Sequence, residues 1–217
     1  KIASMAGEML KPVTLELGGK SPNIVFDDAD PEAATIGALA GIFGATGQTC
    51  VAGSRLLVQR GLYDEITERL ATRAQAIRLG DPLDPASEMG TVANQPQFDR
   101  IIASIESAKS DGARLVTGGG AAKGAHLGKG LFIEPTIFAD ARNDMAVAQT
   151  EIFGPVLTIL PFEEEEEAVR IANDIPFGLA SGIWTRDIDR ALHMARSLPC
   201  GTVSVNGFSE GDIKTPF

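Results

Sequence analysis

Cysteine, histidine and positive charge are all scarce in this chain. Two cysteines, Cys50 and Cys200, among 217 residues exclude a disulfide framework and leave each thiol to be judged alone. The two histidines, His126 and His193, form no spaced ligand set with cysteine or acidic residues, so no metal centre is expected. Lysine plus arginine number 19 against 29 aspartates and glutamates, a formal charge of −10. A nucleic acid would have to bind against that field, which removes it as a partner. No apolar run approaches the roughly 18 residues of a spanning helix. The opening residues, Lys1 to Glu8, also lack the apolar middle of a signal peptide. These absences predict a soluble, cytoplasmic protein without a membrane partner. A start on Lys1 and a stop at Phe217 with no closing element read as a piece of something larger.

What is present is enough apolar residue, 44%, to fill one full core. Apolar runs of strand length alternate with stretches of helical period, the pattern of an α/β fold: a largely parallel three-layer sheet with helices on both faces. Strands are predicted at 13–17, 23–26, 55–59, 115–117, 132–138, 156–161, 181–185 and 202–206. Helices are predicted at 31–45, 62–77, 95–110, 163–173 and 188–197. Asp30 followed by Pro31 supplies an N-cap and a proline at the first helical position, and Asp187 opens the last helix in a similar way. The stretches 80–94 and 118–130, broken by glycine and proline, read as surface loops. No Gly-x-Gly-x-x-Gly follows a strand and opens a helix, so no dinucleotide phosphate cradle is visible. The five glutamates at 163–167 read as a solvated helix start, where the positive end of the helix dipole favours them.

The most informative segment is Phe43-Gly44-Ala45-Thr46-Gly47-Gln48-Thr49-Cys50-Val51-Ala52-Gly53-Ser54. Its glycines place Cys50 on a turn between a helix and a strand, where backbone N–H groups can face an oxygen on the attacked carbon. A thiolate there is a competent nucleophile, although a small buried hydrophobe is the plainer reading. Glu16 shifts the balance. It interrupts the apolar stretch Val13-Thr14-Leu15-Glu16-Leu17 immediately before Gly18-Gly19-Lys20-Ser21-Pro22, at a strand end of the kind where ligands bind in parallel sheets. Burial there would suit it to take a proton from water; an ordinary surface glutamate is the alternative. Cys200 reads as a structural thiol.

These two segments, with Glu151-Ile152-Phe153-Gly154-Pro155-Val156 and the stretch from Val205-Asn206-Gly207 to Thr215-Pro216-Phe217 in the same order, resemble the signatures of the aldehyde dehydrogenase superfamily, over essentially the whole chain. The resemblance implies that Cys50 attacks an aldehyde, that hydride then passes to NAD or NADP, and that Glu16 activates water against the resulting thioester. It implies a cofactor contact for Glu151, Phe153, Leu17 and Gly18, and a substrate contact for Thr49, Val51 and Phe217. A carboxylate at position 16 favours hydrolysis over transfer to coenzyme A. By the same likeness, residues 1–18 correspond to a terminal strand of a cofactor-binding domain and 19–217 to a catalytic domain cut short at its C-terminus. The intact enzyme is then a homo-dimer or homo-tetramer. The adenine and pyrophosphate pockets of the family lie upstream of Lys1, so the 217 residues alone are expected to be a folded module without dehydrogenase activity, reacting at most with activated esters. Glu210 and Asp212, near the expected tunnel mouth, read first as part of a solvated loop; the alternative is that they favour a substrate carrying an amine.

Overall fold

Aspartates and glycines punctuate the chain where its backbone changes direction. The computed structural model describes residues 1–124, 127 and 130–208. Helix α1 (Ile2–Glu8) buries none of its residues. After it come β1 (Pro22–Val25), α2 (Pro31–Phe43), a 3₁₀ turn at Gly44–Gly47, β2 (Arg55–Gln59) and α3 (Arg60–Ala76). Next are α4 (Gln95–Ser110), β3 (Arg114–Thr117), β4 (Thr136–Ala139), the short α5 (Ala146–Gln149) and β5 (Val156–Phe162). Helix α6 (Glu165–Asn173), β6 (Ala180–Trp184), α7 (Ile188–Ser197) and β7 (Thr202–Val205) are the last elements among the described residues.

The seven strands form one sheet in the order β3-β4-β5-β2-β1-β6-β7. All pairings are parallel except the edge pair β3–β4. Strand residues alternate faces with period two, so neighbours in sequence serve different cores. Val25, Leu56, Val58, Leu157 and Ile159 pack against Ala38, Ile42, Ile66 and Leu70 of α2 and α3. Ile24, Leu57, Leu160, Phe162 and Ile183 pack against Ile171 of α6 and Met194 of α7. A third cluster joins Ile101 and Ile105 of α4 to Phe138 and Val156. Each fully buried aliphatic side chain contributes roughly 1.5–3 kcal/mol. The expected three-layer, largely parallel α/β architecture is what forms.

The expected caps are present. Asp30 accepts from the backbone N–H groups of Glu32 and Ala33 at 2.9 and 3.1 Å, and Asp187 from those of Asp189 and Arg190 at 2.9 and 3.2 Å. Three differences from the sequence reading stand out. Residues 13–17 form no strand and are exposed, because no described strand lies beside them to take their backbone hydrogen bonds. The strand expected at 132–138 shortens to β4, since Pro135 has no N–H to give the ladder. Helices α1 and α5 were not foreseen. Residues 80–94 and the described part of 118–130 carry only isolated bridges, Leu79 with Met89 and Ala121 with Ile133.

Candidate active site

Because six of the seven strands run parallel, the sheet has an amino edge and a carboxyl edge. Ligands in open parallel sheets ordinarily sit beyond the carboxyl ends. Here Gly18 and Gly19 lead into β1, Cys50 into β2 and Glu151 into β5, so the residues singled out by their chemistry gather at the amino edge. That reverses the expectation drawn from strand ends.

The thiol turn is built by backbone strain and glycine. After α2 ends, Ala45 and Thr46 both take left-handed backbone angles (φ 48° and 59°), followed by Gly47 at φ 68°. Each non-glycine residue there costs about 1–2 kcal/mol, and the surrounding contacts hold it in place. Gln48 accepts from the Ala93 N–H at 2.9 Å. The Gly53 N–H donates to the Gly41 carbonyl at 3.1 Å, and the Ala52 N–H to the Thr49 carbonyl at 3.0 Å. Cys50, half-buried and unpaired, sits inside that last turn.

Two neighbouring turns close on it. A Cβ at Gly19 would stand 2.6 Å from the Cys50 carbonyl oxygen, and one at Gly18 would collide with the Glu151 carboxylate. Only glycine lets the three segments approach this closely. Glu151 Oε1 accepts from the Gly19 N–H at 3.1 Å. Gln97 donates to the carbonyls of Ile152 and Phe153 at 2.8 and 2.9 Å, fixing Phe153 at φ 55° with its ring partly exposed. A narrow cleft results, walled by Gly19, Gly47, Thr49, Glu151 and Phe153. Phe208 packs against Gly41, Gly53 and Gly182. Asn206 holds the approach to that ring by accepting from the Thr185 N–H at 3.1 Å and donating to the Thr185 carbonyl at 2.9 Å.

The sequence-predicted residues therefore divide. Cys50, Thr49, Gly18, Glu151 and Phe153 meet at one edge, with Val51 half-buried beside the thiol. Glu16 and Leu17 lie in the same connection but are exposed and off the sheet, so the buried carboxylate at a strand end is not what forms. Phe217, Glu210, Asp212 and His126 lie outside the described residues. Among the described residues no group of three or more metal-ligating side chains occurs, and no helix is long and apolar enough to cross a membrane.

Two residues at this edge escaped the sequence reading. Arg55 is fully buried. It donates to the carbonyls of Lys20, Ile171 and Ala172 at 3.3, 3.1 and 2.7 Å, and to Asn143 Oδ1 at 2.7 Å. Burial lowers its pKa to about 10, against an opposing pull from Asp174. Lys20 is also fully buried, and its Nζ has no hydrogen-bond partner among the described residues. Burial, and then repulsion from Arg55, lower the Lys20 pKa to about 7, with Glu151 pulling the other way. The available signal was an arginine opening an otherwise apolar strand.

The sequence matches the profile of the Aldehyde dehydrogenase family over residues 1–217. Over the same 217 residues it is 48% identical to the betaine aldehyde dehydrogenase of Brucella anthropi and 45% identical to that of Brucella melitensis, covering 45% of each. Betaine aldehyde dehydrogenase from Staphylococcus aureus, solved in complex with NAD+, superposes with a TM-score of 0.94 at 40% identity, over 100% of this chain and 43% of that one. HpcC from Thermus thermophilus superposes with a TM-score of 0.93 at 42% identity, over 100% of this chain and 42% of that one. The chain thus spans under half the length of the relatives it matches.

Proposed function

This chain belongs to the aldehyde dehydrogenase family, and we propose that it carries the catalytic half of an enzyme that oxidises an aldehyde to a carboxylic acid with NAD or NADP. The observation that carries the reading is the seating of the Cys50 turn against Gly19 while the Glu151 carboxylate covers Gly18 and Gly19. It supports a nucleophile and a cofactor contact sharing one cleft. We assign residues 1–18 to the end of a cofactor-binding half and 19–217 to the catalytic domain.

In this reading the Cys50 thiolate adds to the aldehyde carbon, and the backbone N–H of Cys50 is assigned to the oxyanion of the thiohemiacetal. A nicotinamide bound beside Glu151 and Phe153 would supply the hydride acceptor. Glu151 suits a contact to the ribose hydroxyls: Oε1 is held by the Gly19 N–H, and Oε2 has no donor among the described residues. Gly18 leaves room at that carboxylate because it has no Cβ, and Phe153 offers an aromatic face beside it. Glu16, exposed in the connection before Gly18, is assigned the deprotonation of the water that attacks the Cys50 thioester. Thr49, Val51 and Phe217 are assigned to the substrate passage. For the substrate, the relatives' names make betaine aldehyde the first compound to test, and the −10 net charge favours attraction of a cationic aldehyde.

The test uses the full-length parent enzyme. Cys50→Ser should lower turnover by about a thousandfold or more; near-normal turnover would overturn the assignment. Glu16→Gln should leave acyl-enzyme on Cys50, visible by intact mass, and unchanged steady-state turnover would remove Glu16 from its role.

A further inference from the structure

Two turns meet at the cleft beside Cys50, and one short segment is bonded to both. Residues 90–97 run from a loop into the first turn of α4, where Asn94 caps the helix by accepting from the Gln97 N–H at 3.0 Å. Toward the thiol turn this segment offers its backbone. The Thr46 hydroxyl donates to the Gly90 carbonyl at 3.4 Å, and Gln48 Oε1 accepts from the Ala93 N–H at 2.9 Å. Toward the turn that carries Glu151 it offers one side chain, the half-buried Gln97, whose Nε2 donates to the carbonyls of Ile152 and Phe153 at 2.8 and 2.9 Å. No backbone N–H among the described residues donates to either carbonyl. Phe153 is left-handed at φ 55°, and a non-glycine residue leaves that region unless its surroundings hold it. Gly154, next in the chain, abuts Gly47 and Ile101, but neither contact supplies a hydrogen bond to the two carbonyls.

We propose that Gln97 is a positioning residue for the cofactor contact: its amide pins the backbone of Ile152 and Phe153, and through it sets the Phe153 ring and the Glu151 carboxylate on the cleft wall. Both residues line that cleft. A glutamine suits the task because its neutral NH₂ group carries two donors and serves two successive carbonyls at once. The inference rests on the proposed function, which assigns Glu151 and Phe153 to the cofactor, and deepens it by naming what holds them. The thiol turn does not depend on the same amide. Its bonds to the segment run to Gly90 and Ala93, ahead of α4, so loss of the Gln97 amide should free one turn and spare the other. Releasing a left-handed residue corresponds to roughly tenfold in the population of the held conformer, and binding that needs the conformer weakens by the same factor.

The experiment uses the full-length parent enzyme with Gln97→Met, which keeps the side-chain length and removes both donors. NAD binding is read by calorimetry, and alkylation of Cys50 by iodoacetamide is followed without cofactor. The NAD dissociation constant should rise by about tenfold, with KM for NAD rising in step, while the Cys50 alkylation rate stays within about twofold. Ile105→Val, in the same helix but not a wall of the cleft, controls for general loosening: it should lower the thermal midpoint and move neither reading. Gln97→Glu sets a carboxylate against the two carbonyls. Its NAD affinity relative to the unsubstituted enzyme should recover as pH falls from about 8 to about 5, because the protonated acid regains a donor. Unchanged NAD affinity in Gln97→Met, a loss matched by an equal change in Cys50 alkylation, or a flat pH response in Gln97→Glu would each overturn the proposal. Those failures leave the dehydrogenase reading standing, whereas a parent that binds no NAD before any substitution removes that reading and this inference with it.

Discussion

The two edges of the sheet gather different residues. At the carboxyl edge three aspartates, Asp27, Asp28 and Asp140, are each answered. Asp28 accepts from the Thr185 hydroxyl at 2.8 Å and the Arg186 N–H at 3.1 Å, and pairs with Arg190 at 3.1 Å. Asp27 accepts from the Leu62 N–H at 3.2 Å, and Gln59 bridges the Asp27 N–H and the Glu163 carbonyl. Tyr63 donates to Asp140 Oδ1 and accepts from the Asp140 N–H, both at 2.8 Å. At the amino edge lie the left-handed Ala45 and Thr46, the tight glycine contacts and a buried amine without an acceptor among the described residues. Left-handed non-glycine backbone occurs at both edges, at Asp140 and Asn206 as well as at Ala45 and Thr46; what sets the amino edge apart is the cluster of candidate reactive residues and the buried Lys20 amine.

Four substitutions can break or sharpen that contrast. The largest effect should come from Arg55→Met at the amino edge. Three carbonyls and an amide oxygen would lose their donor inside the protein, costing about 3–5 kcal/mol in urea unfolding. If the loss is under about 1 kcal/mol, the guanidinium is not what closes that edge.

Gly19→Ala should follow, at about 2–3 kcal/mol, since the new Cβ meets the Cys50 carbonyl and backbone must move. In the parent enzyme it should also lower turnover more than a distant substitution of equal stability cost. Equal losses would show that the close approach serves folding alone.

Lys20→Met should go the other way, leaving stability unchanged or raising it by about 1 kcal/mol at pH 6, where the buried amine is protonated. The sign follows from linkage. With a folded pKa of about 7 against an ordinary 10.5, the folded chain binds fewer protons than the unfolded one between those values, so Lys20 makes stability rise with pH across that window. Removing it should flatten the rise. Tyr63, whose pKa burial pushes up to about 12, acts in reverse: the folded form keeps a proton the unfolded form loses, and stability falls above pH 10. Unfolding free energy measured from pH 6 to 11 in both proteins checks each limb.

The last comparison lies at the carboxyl edge. Burial pushes the Asp28 carboxyl up, but hydrogen bonds from Thr185 and Arg186 and the charge of Arg190 outweigh it and leave the pKa lowered. Its stabilisation is therefore present above the ordinary carboxylate range and lost as pH falls through the folded value. Asp28→Ala should cost about 1 kcal/mol at pH 7 and less at pH 2; a cost independent of pH would assign the effect to packing.

Much of this was legible in the chain. Asp30 and Asp187 announced their helices because a capping side chain acts within three residues, and Arg55–Gln59 and Gln95–Ser110 follow from apolar periodicity with turn residues at their ends. Cys50 was legible as the residue on a glycine-flanked turn. Segment 13–17 was misread because alternation signals a strand only if another strand lies beside it, and a sequence does not state which strands are neighbours. Lys20 and Arg55 were passed over because a charged residue ordinarily reads as exposed.

Local chemistry thus set the helices, their caps, the alternation of strand faces and the glycines around the thiol, since each depends on residues a few positions apart. Which edge of the sheet receives the thiol, the glycines and the Glu151 carboxylate was decided only by tertiary structure. So was the loss of solvent around Lys20 and Arg55. Gly19 meets Glu151 across 132 positions of chain, and no periodicity reports a contact between turns that only a shared sheet brings together.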